Sequence, residues 1–267
     1  MYLMNPAITP ILLGLVAGIT VTFGALTYIV VGRRLGRRGQ GVLNALAGGV
    51  LAYLALETGH ESAAYVEQFA TRETLDSFLA GLMVTSIALL GTWLLLSYVE
   101  RGYSTLVRAP PGLMVSLTVA SALGLHNLGE GLAIAASLIE GKVSLAILFA
   151  VGFAIHNYTE GFPIAAPLAG EKKRTGLRTI IGLSLLAGLP VVPGAMVYYL
   201  GSNLPGLAIA TLYTVAAASI VYAMLHINLS ALSRLGGLSS PSFWSSLFLG
   251  IALAYVTESI ILIAGLH

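Results

Sequence analysis

The sequence predicts an all-α integral membrane protein with eight transmembrane helices, and three observations carry that prediction. Hydrophobic residues make up 57% of the 267 positions and charged residues only 9%, too few charges to cover a soluble domain of this size. Apolar runs long enough to cross a hydrocarbon core of ~30 Å recur along the chain. Polar stretches between them are short, so we expect one transmembrane domain over residues 1–267.

Hydropathy and helix-breaking residues divide the chain into eight spans. Their expected bounds are near 7–31, 42–66, 77–99, 112–138, 144–168, 179–200, 207–231 and 243–265. The second span is apolar only to about Leu56. Because no proline follows before Thr71, we expect this helix to continue beyond the membrane.

Basic residues predict the orientation of the spans. Eleven of the thirteen Lys and Arg fall in the loops after spans 1, 3, 5 and 7: Arg33, Arg34, Arg37, Arg38, Arg101, Arg108, Lys172, Lys173, Arg174, Arg178 and Arg234. The opposite side carries only Arg72 and Lys142. Since cytoplasmic loops are enriched in Lys and Arg, both termini are expected outside the cytoplasm.

Span 1 and span 6 share a sequence pattern. Residues 17–28 recur as 187–198, with Ala, Gly, Val, Gly, Ala and Tyr coinciding at a constant offset of 170. At nearly the same offset, two residues of span 2 fall opposite two of span 7: Tyr53 and Glu57 opposite Tyr222 and His226. The paired spans run in opposite directions, so the pattern predicts an inverted repeat with a binding site near the bilayer midplane. The alternative is that helices rich in small residues resemble one another.

Spans 4 and 5 repeat the motif H-N-x-x-E-G-x-x-I-A-A. It begins at His126 in span 4 and at His156 in span 5, 30 residues later. In a helix, positions i and i+4 share one face and lie ~6 Å apart along the axis. His126 therefore shares a face with Glu130, and His156 shares a face with Glu160.

Both motifs are expected near mid-bilayer, on helices that run in opposite directions. If the two faces meet, His126 comes level with Glu160, and Glu130 comes level with His156. Four nitrogen and oxygen ligands would then converge on one point, with Asn127 and Asn157 beside them as neutral oxygen donors.

Energetics favour a bound cation at this point. An acidic side chain at mid-bilayer costs ~2.5–3.5 kcal/mol on the insertion scale, and a divalent cation offsets that cost for two of them. Ligands without sulfur suit Zn²⁺, Fe²⁺, Mn²⁺ and their neighbours, and the chain has no cysteine. The alternative is a pair of His–Glu hydrogen bonds that join the two helices.

Other polar residues in the spans are weaker candidates. Glu57, His60 and Glu61 share a face at the outer end of span 2, where they could collect cations or form a solvated helix end. His226, near the inner end of span 7, could help to release an ion or be an ordinary packed residue. Glu258 in span 8 is deep in the membrane with no evident partner.

The paired motif resembles that of the ZIP family of divalent-metal transporters, over the whole chain. That family shows H-N-x-x-E-G type motifs on its fourth and fifth helices, eight spans and extracytoplasmic termini. The resemblance implies that the family's metal ligands correspond to His126, Asn127, Glu130, His156, Asn157 and Glu160. It also implies a homodimer and a 3+2+3 arrangement in which spans 1–3 mirror spans 6–8.

Three features depart from the family pattern. Gly129 and Thr159 stand where a proline often precedes the Glu, and the loop from Glu100 to Pro111 is short and has no histidine. Val191 stands where many members carry a span-6 Glu that helps to build a second, adjacent metal position. We therefore expect one tightly bound ion between spans 4, 5 and 6.

Transport of a divalent metal into the cytoplasm is the expected function. Zinc is the foremost substrate, with iron, manganese and cadmium as others, and the expected location is the cell membrane. We expect no enzymatic activity, no cofactor and no nucleic-acid partner. The alternative is an intramembrane metal-dependent hydrolase, in which the metal activates water, although the chain has no H-E-x-x-H motif.

Overall fold

The computed structural model describes residues 7–72, 74–106, 110–169, 175–201 and 205–265, without the side chains of 72, 99–100, 102–106 and 260–265. Within these ranges the regular secondary structure is entirely helical. The predicted all-α class is confirmed. Arg108, Lys172, Lys173 and Arg174, which helped to predict the orientation, lie outside the described residues.

Nine α-helices and one short 3₁₀ helix follow one another along the described part of the chain. They are α1 Thr9–Gly32, α2 Arg37–Arg72, α3 Leu75–Leu106, α4 Pro111–Ile139, α5 Val143–Ala169, α6 Leu177–Gly188, α7 Val191–Met196, the 3₁₀ helix Val197–Leu200, α8 Gly206–Leu235 and α9 Pro241–Gly265. Each of the eight expected spans coincides with one of these helices, the sixth being built from α6, α7 and the 3₁₀ helix together.

Seven of these segments, searched over the described residues, are long and apolar enough to cross a membrane. They are α1, α2, α3, α4, α5, the composite Leu177–Leu200 and α8. The eighth expected span is α9, which is 25 residues long. The structure does not describe the side chains of its residues 260–265. The chain is therefore a multi-pass membrane protein. Helix α2 continues unbroken to Arg72, as expected, and its 36 residues reach about 54 Å.

The sixth span breaks beside two prolines. Helix α6 ends at Gly188 and α7 begins after Pro190. Pro190 and Pro193 have no N–H, so the sequence predicts free carbonyls at Leu186 and Leu189. For Leu189 this is wrong, since its carbonyl accepts a hydrogen bond of 2.9 Å from the Val192 N–H in a tight turn. In helix α5, by contrast, the helix continues through Pro163 and Pro167.

Glycines bring the backbones of α1, α4, α5, α6 and α7 into direct contact. A methyl group built on Gly18 would collide with the Gly188 carbonyl, and one built on Gly188 would collide with the Gly18 carbonyl. Backbone atoms of a neighbouring helix also crowd six further glycines of this group: Gly14, Gly24, Gly124, Gly131, Gly161 and Gly194. Such close packing is typical of membrane helices, and it makes these five helices one tightly joined group, the inner group.

A second group consists of α2, α3, α8 and α9, the outer group. Helix α2 packs along α8 and α9, and α3 packs on α8. Gly49 and Gly250 bring α2 and α9 into backbone contact, and Gly48 lies against the Asn228 side chain of α8. The inner group packs on the outer group mainly through α4 on α8, α5 on α9 and α2 on α5.

Arginines join the loops at one end of the bundle. The Arg33 guanidinium donates to the Thr175 carbonyl at 2.6 Å, before α6. Arg234, at the end of α8, donates to Gln40 Oε1 of α2 at 2.8 Å. The loops after spans 1 and 7 therefore lie at the same end of the bundle, and Arg33 contacts the segment that precedes span 6.

We expect Gly188→Ala to destabilise the protein. The new methyl group must push α1 and α6 apart, and overpacking of this kind costs about 1–3 kcal/mol. The midpoint of thermal unfolding of the purified protein in detergent measures the effect.

The matched control is Gly182→Ala on the same helix. Gly182 is exposed and has no neighbouring atom within 4 Å of a built methyl group, so alanine there should stabilise the helix by about 0.5–1 kcal/mol. Equal midpoints for the two variants would contradict the close contact of α1 with α6.

Candidate metal centre

Helices α4 and α5 bring four ionisable side chains to one point in the middle of the bundle. One ligand atom from each of His126, Glu130, His156 and Glu160 lies within 4.8 Å of the others. All four residues are buried, with 4%, 6%, 1% and 0% of their surface exposed. The two motif faces therefore meet as the spacing predicted, and His126 comes level with Glu160, at 3.5 Å from Nε2 to Oε1.

Two of three separations between these atoms match those of a metal-bound tetrahedron, and the third is longer. His156 Nε2 lies 3.6 Å and His126 Nε2 lies 3.5 Å from the same oxygen, Glu160 Oε1. His126 Nε2 lies 4.0 Å from Glu130 Oε1. Bonds of ~2.0–2.2 Å in a tetrahedral zinc site put neighbouring ligand atoms about 3.3–3.6 Å apart. Small side-chain adjustments would therefore suffice to coordinate one ion.

The two asparagines of the motif fix the carboxylates in a crossed arrangement. Asn127 of α4 donates through Nδ2 to Glu160 Oε2 of α5 at 2.9 Å. Asn157 of α5 donates through Nδ2 to Glu130 Oε2 of α4 at 2.8 Å. One oxygen of each carboxylate is thereby held, while the other oxygen faces the histidines. Both Asn Oδ1 atoms are buried without a hydrogen-bond partner among the described residues. Their expected role as neutral metal ligands stays a prediction.

Each asparagine also bonds the backbone of a glycine-packed neighbour. Asn127 Nδ2 donates to the Ala187 carbonyl at 3.1 Å, in the last turn of α6, where the helix break leaves carbonyls without a following N–H. Asn157 Nδ2 donates to the Ala17 carbonyl of α1 at 3.3 Å. The amide groups are therefore oriented from both sides, and they in turn orient the carboxylates.

Threonines of the outer group contact the far side of each imidazole. The Thr58 hydroxyl of α2 lies 3.0 Å from His126 Nδ1, and the Thr257 hydroxyl of α9 lies 3.4 Å from His156 Nδ1. Hydrogen bonds of this kind orient an imidazole so that its other nitrogen is free to bind a metal. Sequence reasoning missed both threonines because neither shares a motif or a helix with the histidine it contacts.

Two atoms at the centre of this arrangement lack any partner among the described residues. His156 Nε2 and Glu160 Oε1 are buried and accept no hydrogen bond. Buried polar atoms without partners are uncommon and costly. In addition, two carboxylates within 4.8 Å repel by about 3 kcal/mol or more at an effective dielectric constant of ~20. A divalent cation would remove both penalties at once.

The weaker candidates occupy different surroundings. Glu57 approaches His156, in a group with Glu258. His60 is exposed. His226 stacks on Tyr222 with ring centroids 4.6 Å apart, and it belongs to neither of the two candidate metal groups among the described residues.

Glu61 lines a cavity of about 380 Å³ between α2, α4 and α8. Stacked rings of Tyr65 and Tyr213, with centroids 6.1 Å apart, also line it. Tyr213 lies directly against Gly129, one residue before Glu130. The cavity therefore extends along the C-terminal part of α2 and reaches Gly129, the residue before Glu130.

Val191 is fully buried in an apolar cluster with Leu13, Ala17 and Ile134. It stands where many ZIP family members carry the Glu of a second metal position. It offers no ligand atom there. The expectation of one ion between spans 4, 5 and 6 stays a prediction.

No protein-family model matches the chain, and a search of the curated proteins finds no match. The fold and the site together define a multi-pass helical membrane protein with a buried His/Glu cluster. Its function has to be inferred from the geometry of that cluster.

We expect Asn127→Ala to weaken metal binding. Glu160 then loses the donor that holds Oε2, and loss of such a supporting hydrogen bond typically costs ~10–100-fold in metal affinity. Titration of the purified protein with Zn²⁺ measures the dissociation constant.

Ser137→Ala is the control, because the Ser137 hydroxyl donates only to the Ala133 carbonyl within α4, at 3.0 Å. If Asn127→Ala bound Zn²⁺ as tightly as Ser137→Ala, the crossed hydrogen bonds would have no part in the site.

Proposed function

We propose that the chain transports divalent transition-metal ions, zinc foremost, into the cytoplasm, as its resemblance to the ZIP family implies. One observation carries the proposal: two imidazoles and two carboxylates lie buried together between two helices that are each long and apolar enough to cross a membrane. A purely structural role would leave two acidic side chains, and two atoms without a hydrogen-bond partner, in the middle of the bundle. A transported cation explains them.

An inverted 3+2+3 repeat of eight spans belongs to this proposal, and the hydrogen bonds at the centre support it. The two donors, Asn127 and Asn157, are 30 residues apart, as the two motifs are. Their backbone acceptors, Ala187 and Ala17, are 170 residues apart, the offset between spans 6 and 1. An approximate twofold axis between α4 and α5 relates the two sets of contacts.

Glycine contacts repeat the same relation within the inner group. Corresponding contacts are Gly161 with Val21 and Ala25, Gly131 with Val191 and Ala195, Gly24 with Tyr158, and Gly194 with Leu128. In every pair the α1 and α7 residues differ by 170 and the α4 and α5 residues by 30. Chance similarity between small-residue helices does not produce matched partners, so these contacts favour a true repeat.

Ring contacts extend the relation to the outer group. Tyr53 of α2 meets Tyr255 of α9 edge to face, at an interplanar angle of 75°. Tyr222, its expected counterpart on α8, meets Trp93 of α3 edge to face at 78°. These two ring contacts support a correspondence of spans 2 and 8 with spans 7 and 3.

Alternating access around the central cluster is the mechanism we propose. Both pairs of ligands are on the inner group, which is joined by backbone contacts, while side chains of the outer group such as Thr58, Thr257 and Tyr213 contact it. Movement of one group against the other would open the cluster first to one side and then to the other. The resemblance also implies a homodimer in the cell membrane with both termini outside, and we retain these as parts of the proposal.

We expect that Glu130→Ala and Glu160→Ala each abolish saturable uptake of Zn²⁺ into proteoliposomes. Each change removes a central carboxylate, while membrane insertion stays intact or improves because a costly buried acid is lost. His126→Ala and His156→Ala should weaken Zn²⁺ binding strongly.

Glu67→Gln serves as the control, since it removes an exposed acid from α2 and should leave uptake unchanged. Uptake at the unmodified rate by the Glu130→Ala, Glu160→Ala double variant would overturn the proposal. Tight Zn²⁺ binding by the unmodified protein without any flux would instead favour the metal-dependent hydrolase.

Cysteine labelling tests the proposed orientation, because the chain has no natural cysteine. We expect a cysteine at Ala70, near the outer end of α2, to react with an impermeant thiol reagent in intact cells. A cysteine at Gly36, in the arginine-bearing loop, should be shielded until the cells are opened. Both positions are exposed in the fold, so the reverse pattern would invert the orientation and the direction of transport.

A further inference from the structure

We propose that Glu57, Glu258 and the Nδ1 side of His156 form a second position for a divalent cation, through which the ion passes to or from the central cluster. This inference rests on the proposed metal transport and adds a specific step to it. The second position joins the two helix groups, since Glu57 and Glu258 are on α2 and α9 and His156 is on α5.

The geometry is that of a ligand set. One ligand atom from each of Glu57, His156 and Glu258 lies within 4.8 Å of the others. His156 Nδ1 lies 3.7 Å from Glu258 Oε2. Glu57 Oε2 is buried and has no hydrogen-bond partner among the described residues. This orphaned carboxylate oxygen is an observation independent of the clustering, and it indicates a missing ligand.

The chemistry resembles that of the central cluster. Two carboxylates and one imidazole, without sulfur, suit the same borderline divalent metals. The two carboxylates repel each other when no cation lies between them, and a divalent ion converts that repulsion into attraction. Three protein ligands leave further coordination positions for water, as expected for a position that an ion occupies only in passing.

One imidazole ring serves both positions. His156 presents Nε2 to Glu160 of the central cluster at 3.6 Å and Nδ1 to Glu258 at 3.7 Å. A neutral imidazole has only one nitrogen with a free lone pair. With the proton on Nδ1, which then donates to the Thr257 hydroxyl at 3.4 Å, the ring can ligate an ion only at the central cluster. To ligate at the second position, the ring must lose the Nδ1 proton and take up a proton on Nε2. The two positions therefore exclude each other, and electrostatic repulsion between two dications adds to this exclusion.

The solvent exposure of its ligands indicates where the second position lies along the path of the ion. The Glu258 side chain is 14% exposed, whereas those of His156 and Glu160 are 1% and 0% exposed. Glu57 is also partly exposed. An ion from outside the bundle thus reaches Glu258 and Glu57 before it reaches the central carboxylates. Because the ligands come from both groups, the second position exists only while the groups are arranged as in this structure.

Equilibrium binding of Cd²⁺ to the purified full-length protein tests the inference without relying on transport. The double variant Glu130→Gln, Glu160→Gln disables the central cluster and keeps His156. We expect it to bind one Cd²⁺ ion, more weakly than the unmodified protein, with anomalous diffraction placing the ion beside His156 Nδ1 and Glu258. Addition of Glu57→Gln and Glu258→Gln should weaken this residual binding by about tenfold or more.

The matched control adds Glu67→Gln to the same double variant. It removes one negative charge from the exposed face of α2 and should leave the residual Cd²⁺ binding unchanged. If Glu57→Gln and Glu258→Gln also leave the residual Cd²⁺ binding unchanged, the second position is overturned. The second position is also overturned if the double variant binds no Cd²⁺ although its thermal-unfolding midpoint equals that of the unmodified protein.

A complementary variant keeps the central cluster and removes only the second position. Glu57→Gln with Glu258→Gln should bind one Cd²⁺ tightly but raise the half-saturating Zn²⁺ concentration for uptake by about tenfold or more. Unchanged uptake kinetics would overturn the role in the pathway. If the unmodified protein bound no Cd²⁺ and showed no uptake, the proposed function itself would fail, which is a different result from a functional protein with an insensitive second position.

Discussion

The burial of two carboxylates between α4 and α5 sets the conditions that the rest of the bundle satisfies. Each carboxylate needs a hydrogen-bond donor in a region from which water is largely excluded, and the asparagine of the facing helix provides it. Each asparagine then needs a second acceptor, which the backbones of α6 and α1 supply. These hydrogen bonds require the backbones of α1, α4, α5 and α6 to lie in direct contact, and the glycines along these helices allow it.

The outer group completes the surroundings of the histidines. Thr58 and Thr257 contact the outer nitrogens of the two rings, and Glu258 approaches His156 from the same side. The outer group therefore affects the orientation of ligands that it does not itself carry. Relative movement of the two groups would change the contacts of both rings, which links access to the cluster with the geometry of the ligands.

Sequence reasoning succeeded where spacing along one helix determines geometry. Because His126 and Glu130 are four residues apart, they share a helix face whatever surrounds them, and the repetition of the motif on the antiparallel neighbour predicted the facing cluster. The same reasoning located the long helices and the uninterrupted α2. It failed at Leu189, whose carbonyl finds a local donor in a tight turn, and it found no partner for Glu258.

The sequence by itself determined the membrane class, the helices and the two motif faces, because hydrophobicity and the helical period act over short stretches of chain. Only the tertiary structure decided which residues meet across helices. It paired Asn127 with Glu160 and Asn157 with Glu130, and it brought Glu258 to the second nitrogen of His156 with Glu57 beside them. These contacts depend on how deep each helix lies and how it is rotated against its neighbours. That arrangement is set by the packing of small residues over the whole bundle, which no local spacing contains.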